Sequence, residues 1–283
     1  MILSRILNGE SVDIADMPRI GLIAGNRKFP IILACEAKKR GYSIVAMAIK
    51  GEANSSLSNH VEKIYWLDLS EFSRILKICQ NEKITEVVMA GQISPHQLFR
   101  PQIRNSPELN SLLDSLKDKR ADTIFGAVAK RLEEKGVRIL DSTFLLSEFL
   151  PQKGALTRKQ PDFSQWENIY LGLDIAKEIA NLDIGQSVAI KDKAIVAVEA
   201  LEGTDNLIRR AGRITRQGAI IIKVSKPNQD MRFDVPVIGL NTIKNLVRIR
   251  AAGLAIEADK TLFIDRLPAL KLSDKQGLFI VAV

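Results

Sequence analysis

Short apolar runs alternate with segments in which apolar residues return every three or four positions. Arg19 to Gly25 (RIGLIAG) reads as a strand closed by glycine, followed by a helix from Phe29 to Arg40 that Gly41 stops. Tyr42 to Ile49 (YSIVAMAI) and Ile64 to Leu67 are further strands. Phe72, Ile75, Leu76 and Cys79 then stripe a helix that Ser70 can cap. Ile84 to Ala90 is a strand closed by Gly91. Leu109, Leu112, Leu113 and Leu116 mark one helix, Asp122 opens another, and Val137 to Leu140 is a last strand. Continuous apolar strands between amphipathic helices predict a parallel sheet covered on both faces, a Rossmann-like domain over residues 1–150. Such sheets bind ligands at the carboxyl ends of their strands. Those ends carry Gly25-Asn26, Gly91-Gln92 and Asp141-Ser142.

The polar, Pro- and Gly-punctuated stretch PQKGALTRKQPDFSQ, residues 151–165, reads as a linker. Ser164 and Glu167 have capping-box spacing for a helix running towards Asn181. Beyond it the pattern changes. Ser187 to Ile190 and Ala194 to Ala200 flank Lys191-Asp192-Lys193 as a hairpin. A short helix, a strand from Ala219 to Val224, a helix from Thr242 and strands at Thr261 to Ile264 and Leu278 to Val283 follow. This predicts an α+β domain with a mixed sheet over residues 166–283.

Composition narrows the class. Apolar residues make up 46% and charged residues 26% of the 283, which is that of an ordinary globular protein. No apolar run reaches the roughly 18 residues a membrane span needs. Arg5 and the Asn8-Gly9-Glu10 break interrupt any signal-peptide core, so the expectation is a cytoplasmic protein whose membrane contact is peripheral. The net charge of +8 suits an anionic substrate, an anionic membrane surface or nucleic acid. Aromatics are only 5% and the basic residues are scattered, which disfavours nucleic acid as a partner. Cys35 and Cys79 fall on apolar helix stripes and read as plain thiols. With no CxxC or HExxH spacing and only His60 and His96, a zinc site is not expected.

Four segments carry candidate chemistry. GLIAGNRKFP, Gly21 to Pro30, resembles a phosphate turn at a helix N-terminus but lacks the full dinucleotide fingerprint, and no acidic ribose partner clearly follows the second strand. A structural turn explains it as well. In RADTIFGA, Asp122 and the adjacent Thr123 are candidate ligand contacts, although a first-turn acid also stabilises a helix by itself. EGTD, Glu202 to Asp205, joins strand to helix; with Glu199 it gathers three carboxylates, Glu199, Glu202 and Asp205, within seven residues. That density suits Mg²⁺ and a phosphate ester, whereas Thr204 or Asp205 as a simple N-cap is the bland alternative. KPNQDMRFDVP, Lys226 to Pro236, with Lys223 upstream, alternates cations and carboxylates. Lys223, Lys226 and Arg232 can neutralise phosphate oxygens, while Asp230 or Asp234 can hold metal or take a proton from water.

Together, GLIAGNRKFP, LDIGQS (Leu182–Ser187), AVEALEGTD (Ala197–Asp205) and KPNQDMRFDVPVIG (Lys226–Gly239) resemble the LpxI-type UDP-2,3-diacylglucosamine pyrophosphatases from Ile20 to the C-terminus. The resemblance implies two domains and Mg²⁺-dependent hydrolysis of a UDP-sugar diphosphate to 2,3-diacylglucosamine 1-phosphate and UMP in lipid A biosynthesis. It places the essential aspartate of the family's R-x-D-x-P segment on Asp234. Substrate contacts are expected from Gly25, Asn26, Gly91, Gln92, Asp122, Thr123, Thr204, Lys223, Lys226 and Arg232, and metal contacts from Glu202, Asp205 and Asp230. The implied partners are the lipid-linked UDP-sugar and the cytoplasmic face of the inner membrane, with no nucleic acid; a homodimer is left open. The alternative is a nucleotide-dependent oxidoreductase on the N-terminal sheet. Residues 1–18 precede the resemblance, and His96 has no counterpart in it.

Overall fold

A computed structural model describes residues 17–94 and 121–283; the leucine-striped helix expected around Leu109–Leu116 and His96 lie outside them. The chain forms two compact units. Of the described residues, one comprises 17–94 and 121–146 together with Asp230–Asp234; the other comprises Ser147–Gln229 and Val235–Val283.

The first unit alternates strand and helix: β1 (Arg19–Ala24), α1 (Phe29–Lys39), β2 (Ser43–Ile49), β3 (Lys63–Leu67), α2 (Phe72–Asn81), β4 (Glu86–Ala90), α3 (Ala121–Glu133) and β5 (Arg138–Ile139). The strands are all parallel, in the order β3-β2-β1-β4-β5. Every residue of β2 is buried, as its unbroken apolar run requires of a strand covered on both faces. Strand order reverses direction between β1 and β4, which makes their carboxyl ends the crevice of the sheet. Ser70 is not the cap of α2: the helix starts at Phe72 after Glu71, whose carboxylate accepts the Asp68 N–H at 2.8 Å.

The second unit is built on a six-stranded mixed sheet. Its strands are β6 (Gly154–Ala155), β7 (Ser187–Lys191), β8 (Ala194–Val198), β9 (Ile220–Lys223), β11 (Gly253–Ile256) and β13 (Phe279–Ala282), ordered β6-β13-β11-β9-β7-β8. β9, β11 and β13 are parallel; β6, β7 and β8 join antiparallel. Asp192 and Lys193 both take positive φ, 50° and 60°, the turn that matches the twist of the β7–β8 hairpin. A separate parallel pair joins β10 (Val237–Ile238) to β12 (Leu262–Phe263). The helices are α4 (Phe163–Asn181), α5 (Thr204–Thr215), α6 (Leu240–Arg248) and α7 (Arg266–Gln276).

Three further features differ from the sequence reading. The capping box of α4 is Asp162 with Gln165 rather than Ser164 with Glu167, because the helix starts at Phe163 and Asp162 keeps the extended backbone that a cap requires. Within the stretch read as a linker, Gly154-Ala155 pair with β13, and the Thr157 hydroxyl accepts the Ile280 N–H at 2.8 Å. Strand β11 and helix α7 were not assigned from sequence; β11 is a short apolar run, and α7 carries a proline in its first turn and no clear apolar stripe.

Candidate functional site

In the first unit the expected ligand contacts Gly25, Asn26 and Gly91 meet at the crevice between β1 and β4. The Gly25 N–H donates to the Ala90 carbonyl and the Asn26 N–H to the Gln92 carbonyl, both at 2.8 Å. The two turns cross so closely that side chains cannot fit. A Cβ on Gly25 would lie 2.4 Å from the Gln92 oxygen, and one on Gly91, whose φ is +86°, would lie 2.5 Å from the Asn26 oxygen. The Asn26 amide then donates to Glu52 Oε2 at 2.7 Å and to Ser94 Oγ at 3.1 Å, and Ser94 donates to the same carboxylate oxygen. Asn26 Oδ1 is buried and has no partner, an acceptor facing inward with no donor. Helix α1 begins three residues later with no side-chain cap. Its first-turn N–H groups leave a favourable place for an anion.

Glu52 is the residue the sequence reading missed. It follows β2 immediately after Lys50-Gly51, where parallel nucleotide-binding sheets place an acid, and it is 8% exposed.

The same strand edge holds Asp230–Asp234. Buried Ser142, just past β5, donates its N–H to the Met231 carbonyl at 2.8 Å, and its hydroxyl lies 2.6 Å from the Met89 carbonyl and 2.8 Å from that of Arg232. Phe233 packs against Phe125 of α3, with ring centroids 6.1 Å apart, beside Gly126. Arg232 is gripped by Asp230, with Nη2 to Oδ2 at 2.7 Å, and by Glu133 at 2.8 Å. The guanidinium hydrogen bonds hold the Asp230 carboxyl below the usual aspartate range, and the same pairing raises the arginine. The Asp234 N–H closes a turn on the Asp230 carbonyl at 3.1 Å, leaving Asp234 half-buried at the end of this anchored loop. Asp122 and Thr123 lie in the first turn of α3; the Asp122 side chain is outside the described ones.

The second unit has a polar cluster of its own. Lys223 ends β9, Ser187 starts the antiparallel β7 beside it, and Glu199 follows β8, so the three stand in a row along one sheet edge. Gly203, with φ of +80°, turns the chain into α5, and Thr204 opens that helix over the row. Lys223 Nζ donates to Thr204 Oγ1 at 2.9 Å, and Thr204 Oγ1 donates to Glu199 Oε1 at 2.9 Å. Lys223 and Glu199 are 6% and 7% exposed, and Glu199 Oε2 has no partner. Gly185 is needed behind them, because a Cβ there would lie 2.1 Å from the Glu199 carbonyl oxygen. Lys226 pairs with Asp183, and its N–H donates to Gln229 Oε1 at 2.7 Å, where Gln186 also reaches.

Of the carboxylates expected to hold metal, Asp230 is engaged by Arg232 in the first unit, and Glu202 and Asp205 have partners within the second. Asp205 accepts from Asn241 and Asn245 of α6 at 3.0 and 2.9 Å, tying two helices together. Glu202 pairs with Arg210 and accepts the Ala200 N–H. Burial opposes its charge, yet these hydrogen bonds keep its pKa low. Each carboxylate is satisfied by a structural partner, and among the described residues no three His, Cys, Asp or Glu side chains group as a metal cage would. Cys79 is buried, which pushes its thiol up to about 11, and half-buried Cys35 lies 3.3 Å from His60 Nδ1.

Comparison with known proteins covers nearly the whole chain. Residues 19–149 match the family model described as the LpxI N-terminal domain, and residues 152–281 match the LpxI C-terminal domain. A curated relative, UDP-2,3-diacylglucosamine pyrophosphatase LpxI of Caulobacter vibrioides, is 31% identical over 277 residues, covering 94% of this chain and 98% of the relative. Among solved structures, the biotin carboxylase domain of Hydrogenobacter thermophilus 2-oxoglutarate carboxylase aligns at 13% identity with a TM-score of 0.29, over 70% of this chain and 41% of that one. N5-carboxyaminoimidazole synthetase from Staphylococcus aureus aligns at 12% with 0.27, over 70% and 44%. The chain spans less than half of either solved chain, and likenesses this slight carry no argument about fold or chemistry.

Proposed function

The chain belongs to the LpxI family, and on that premise we propose that it hydrolyses the diphosphate of UDP-2,3-diacylglucosamine, releasing 2,3-diacylglucosamine 1-phosphate and UMP in lipid A biosynthesis. The observation that carries this reading is where the four family segments fall. GLIAGNRKFP and the RFD of the last segment occupy the carboxyl edge of the first sheet. LDIGQS, AVEALEGTD and the KPNQ of the last segment build the Glu199–Thr204–Lys223 cluster and its surroundings.

The reaction needs water to attack a phosphorus while the bond from that phosphorus to the bridging oxygen breaks. Asp234 is the carboxylate that takes the proton from that water, held in place by the Ser142, Phe233 and Arg232 anchors. In the first unit the uncapped start of α1 suits a phosphate oxygen, and in the second unit Lys223 beside the uncapped start of α5 suits one by itself. Asn26 and Glu52 stand where a nucleotide's polar groups would be read. Arg232 acts by holding the loop, since its guanidinium already serves two carboxylates. A hard divalent cation, Mg²⁺, supplies further neutralisation of the diphosphate when bound.

The protein works in the cytoplasm against the inner membrane surface. No described helix is long and apolar enough to cross a membrane. Phe163, Trp166 and Tyr170 form an aromatic stripe on α4. Phe163 is 82% and Tyr170 60% exposed, and Trp166 stacks on Tyr170 at 5.5 Å. Exposed aromatics and a net charge of +8 suit peripheral contact with an anionic leaflet. Incubating the purified protein with UDP-2,3-diacylglucosamine in detergent and following UMP by chromatography tests the activity. Absence of UMP release with intact substrate recovered would refute it.

A further inference from the structure

We propose that the N-terminus of α5 is a composite site for one phosphate group and one divalent cation, with Lys223 and the positive end of α5 at Thr204 taking the phosphate and Glu199 Oε2 taking the cation. This deepens the hydrolase reading and rests on it for the identity of the phosphate.

A buried carboxylate oxygen without a partner is unusual, because burial removes the water that would otherwise satisfy it. Glu199 is 7% exposed and only Oε1 is engaged, by the Thr204 hydroxyl at 2.9 Å. The Thr204 proton is committed to Glu199, because the same hydroxyl accepts from Lys223 at 2.9 Å. Lys223 therefore has two further N–H groups to offer. Beside it, α5 begins at Thr204 after Gly203 with no side-chain cap, over twelve residues of helix. An ammonium and an uncapped helix end together form an anion site.

An anion there would stand close to Glu199, and two neighbouring negative groups coexist when a cation lies between them. Mg²⁺ is commonly held in this way, by one or two carboxylates and by phosphate oxygens, with water completing its shell. Such a site has no need of the three-carboxylate cage that is missing among the described residues. A lysine, a threonine hydroxyl and a carboxylate at a helix N-terminus is a set of groups that other phosphate-binding sites use for a phosphate and its metal. The neighbouring acids do not compete, because Glu202 is held by Arg210 and Asp205 by Asn241 and Asn245.

The test measures Mn²⁺, a spectroscopic stand-in for Mg²⁺, by electron paramagnetic resonance on the full chain with and without UMP. Wild type should bind Mn²⁺ weakly alone and more tightly with UMP. Glu199→Gln, which keeps an acceptor for Thr204, should weaken the UMP-dependent binding at least about tenfold while leaving the thermal midpoint unchanged. Glu199→Asp, which retains the charge but withdraws it by one methylene, should also weaken it, and it replaces the glutamine variant if that one unfolds. Lys223→Met should weaken UMP binding without metal. Wild-type Mn²⁺ affinity in a folded Glu199 variant would overturn the proposal. So would loss of Mn²⁺ in Asp234→Asn together with its retention in Glu199→Gln. Because neither readout uses the lipid substrate, a failure of UMP release from UDP-2,3-diacylglucosamine is a separate result that bears on the hydrolase reading alone.

Discussion

The Arg232 guanidinium lies 2.8 Å from the Glu133 carboxylate on the last turn of α3, joining residues 99 positions apart. Arg232 also bonds Asp230 two residues before it, so one side chain pins both the loop's start and the helix beneath it. Asp234 is the next residue but one. The loop's position thus depends on a cation whose three nitrogens already donate to carboxylates.

Replacing Arg232 with glutamine should therefore separate stability from rate. The pairs are about one-third exposed, and such pairs contribute roughly 0–1 kcal/mol, so the denaturation midpoint should move little. Displacing Asp234 by even an ångström should lower kcat by about 10²-fold. Paired unfolding and UMP-release measurements check this; a kcat close to wild type would show that Ser142 and Phe233 hold the loop unaided.

Asp234→Ala should lower turnover by about 10²- to 10⁴-fold while leaving substrate affinity largely intact. Isothermal titration with UDP-2,3-diacylglucosamine, alongside the rate, is the measurement. Lost binding with a preserved fold would give Asp234 a ground-state role.

Gly91→Ala should be costly for two reasons. The residue sits at φ of +86°, and the new Cβ would press on the Asn26 carbonyl at 2.5 Å, backbone that cannot swing aside. A loss of about 2 kcal/mol or more is expected in urea unfolding. The Asn26–Glu52 contact should be displaced with it, so activity should fall further than stability alone explains.

Glu257 should contribute a resolvable part of the protein's acid sensitivity. Burial raises its carboxyl, but hydrogen bonds from Lys177, Lys260 and Ser225 outweigh that and bring it to about 2. Its folded value lies below the ordinary glutamate value of 4.5. The stabilisation is present above pH 4.5 and is lost as the pH falls towards 2, amounting to about 2–3 kcal/mol. Glu257→Gln should flatten the fall in unfolding free energy between pH 5 and roughly 2.5 relative to wild type. An identical fall in both proteins would remove Glu257 from the acid response. The Ser225 N–H donates to Glu257 at 2.9 Å, so the start of the Lys226 loop should loosen over the same range.

Much of this architecture could be read locally. Apolar runs at β1, β2 and β4 pointed to the parallel sheet, because burial on two faces leaves a continuous signature. Thr204 and Lys223 were singled out from sequence and meet at 2.9 Å. Glu202 and Asp205 looked equally suited to metal, but the partners that occupy them come from Arg210, Asn241 and Asn245, and spacing along the chain says nothing of those. Glu52 was passed over because its role depends on Asn26 and Ser94, brought to it by the sheet. The grouping of Asp230–Asp234 with the first unit was hidden for the same reason: the flanking residues belong to the second.

That grouping bears on any attempt to take the protein apart. The backbone passes from one unit to the other three times, after Leu146, after Gln229 and after Asp234. A protease nick or gene split near residue 147 would yield an N-terminal fragment whose Phe125 and Ser142 have lost Phe233 and the Met231 and Arg232 carbonyls. The complementary fragment would carry Asp230–Asp234 as an orphan loop with a bare phenylalanine. The halves are not portable modules, and exchanging one between relatives would mean moving five residues from the middle of the other along with it.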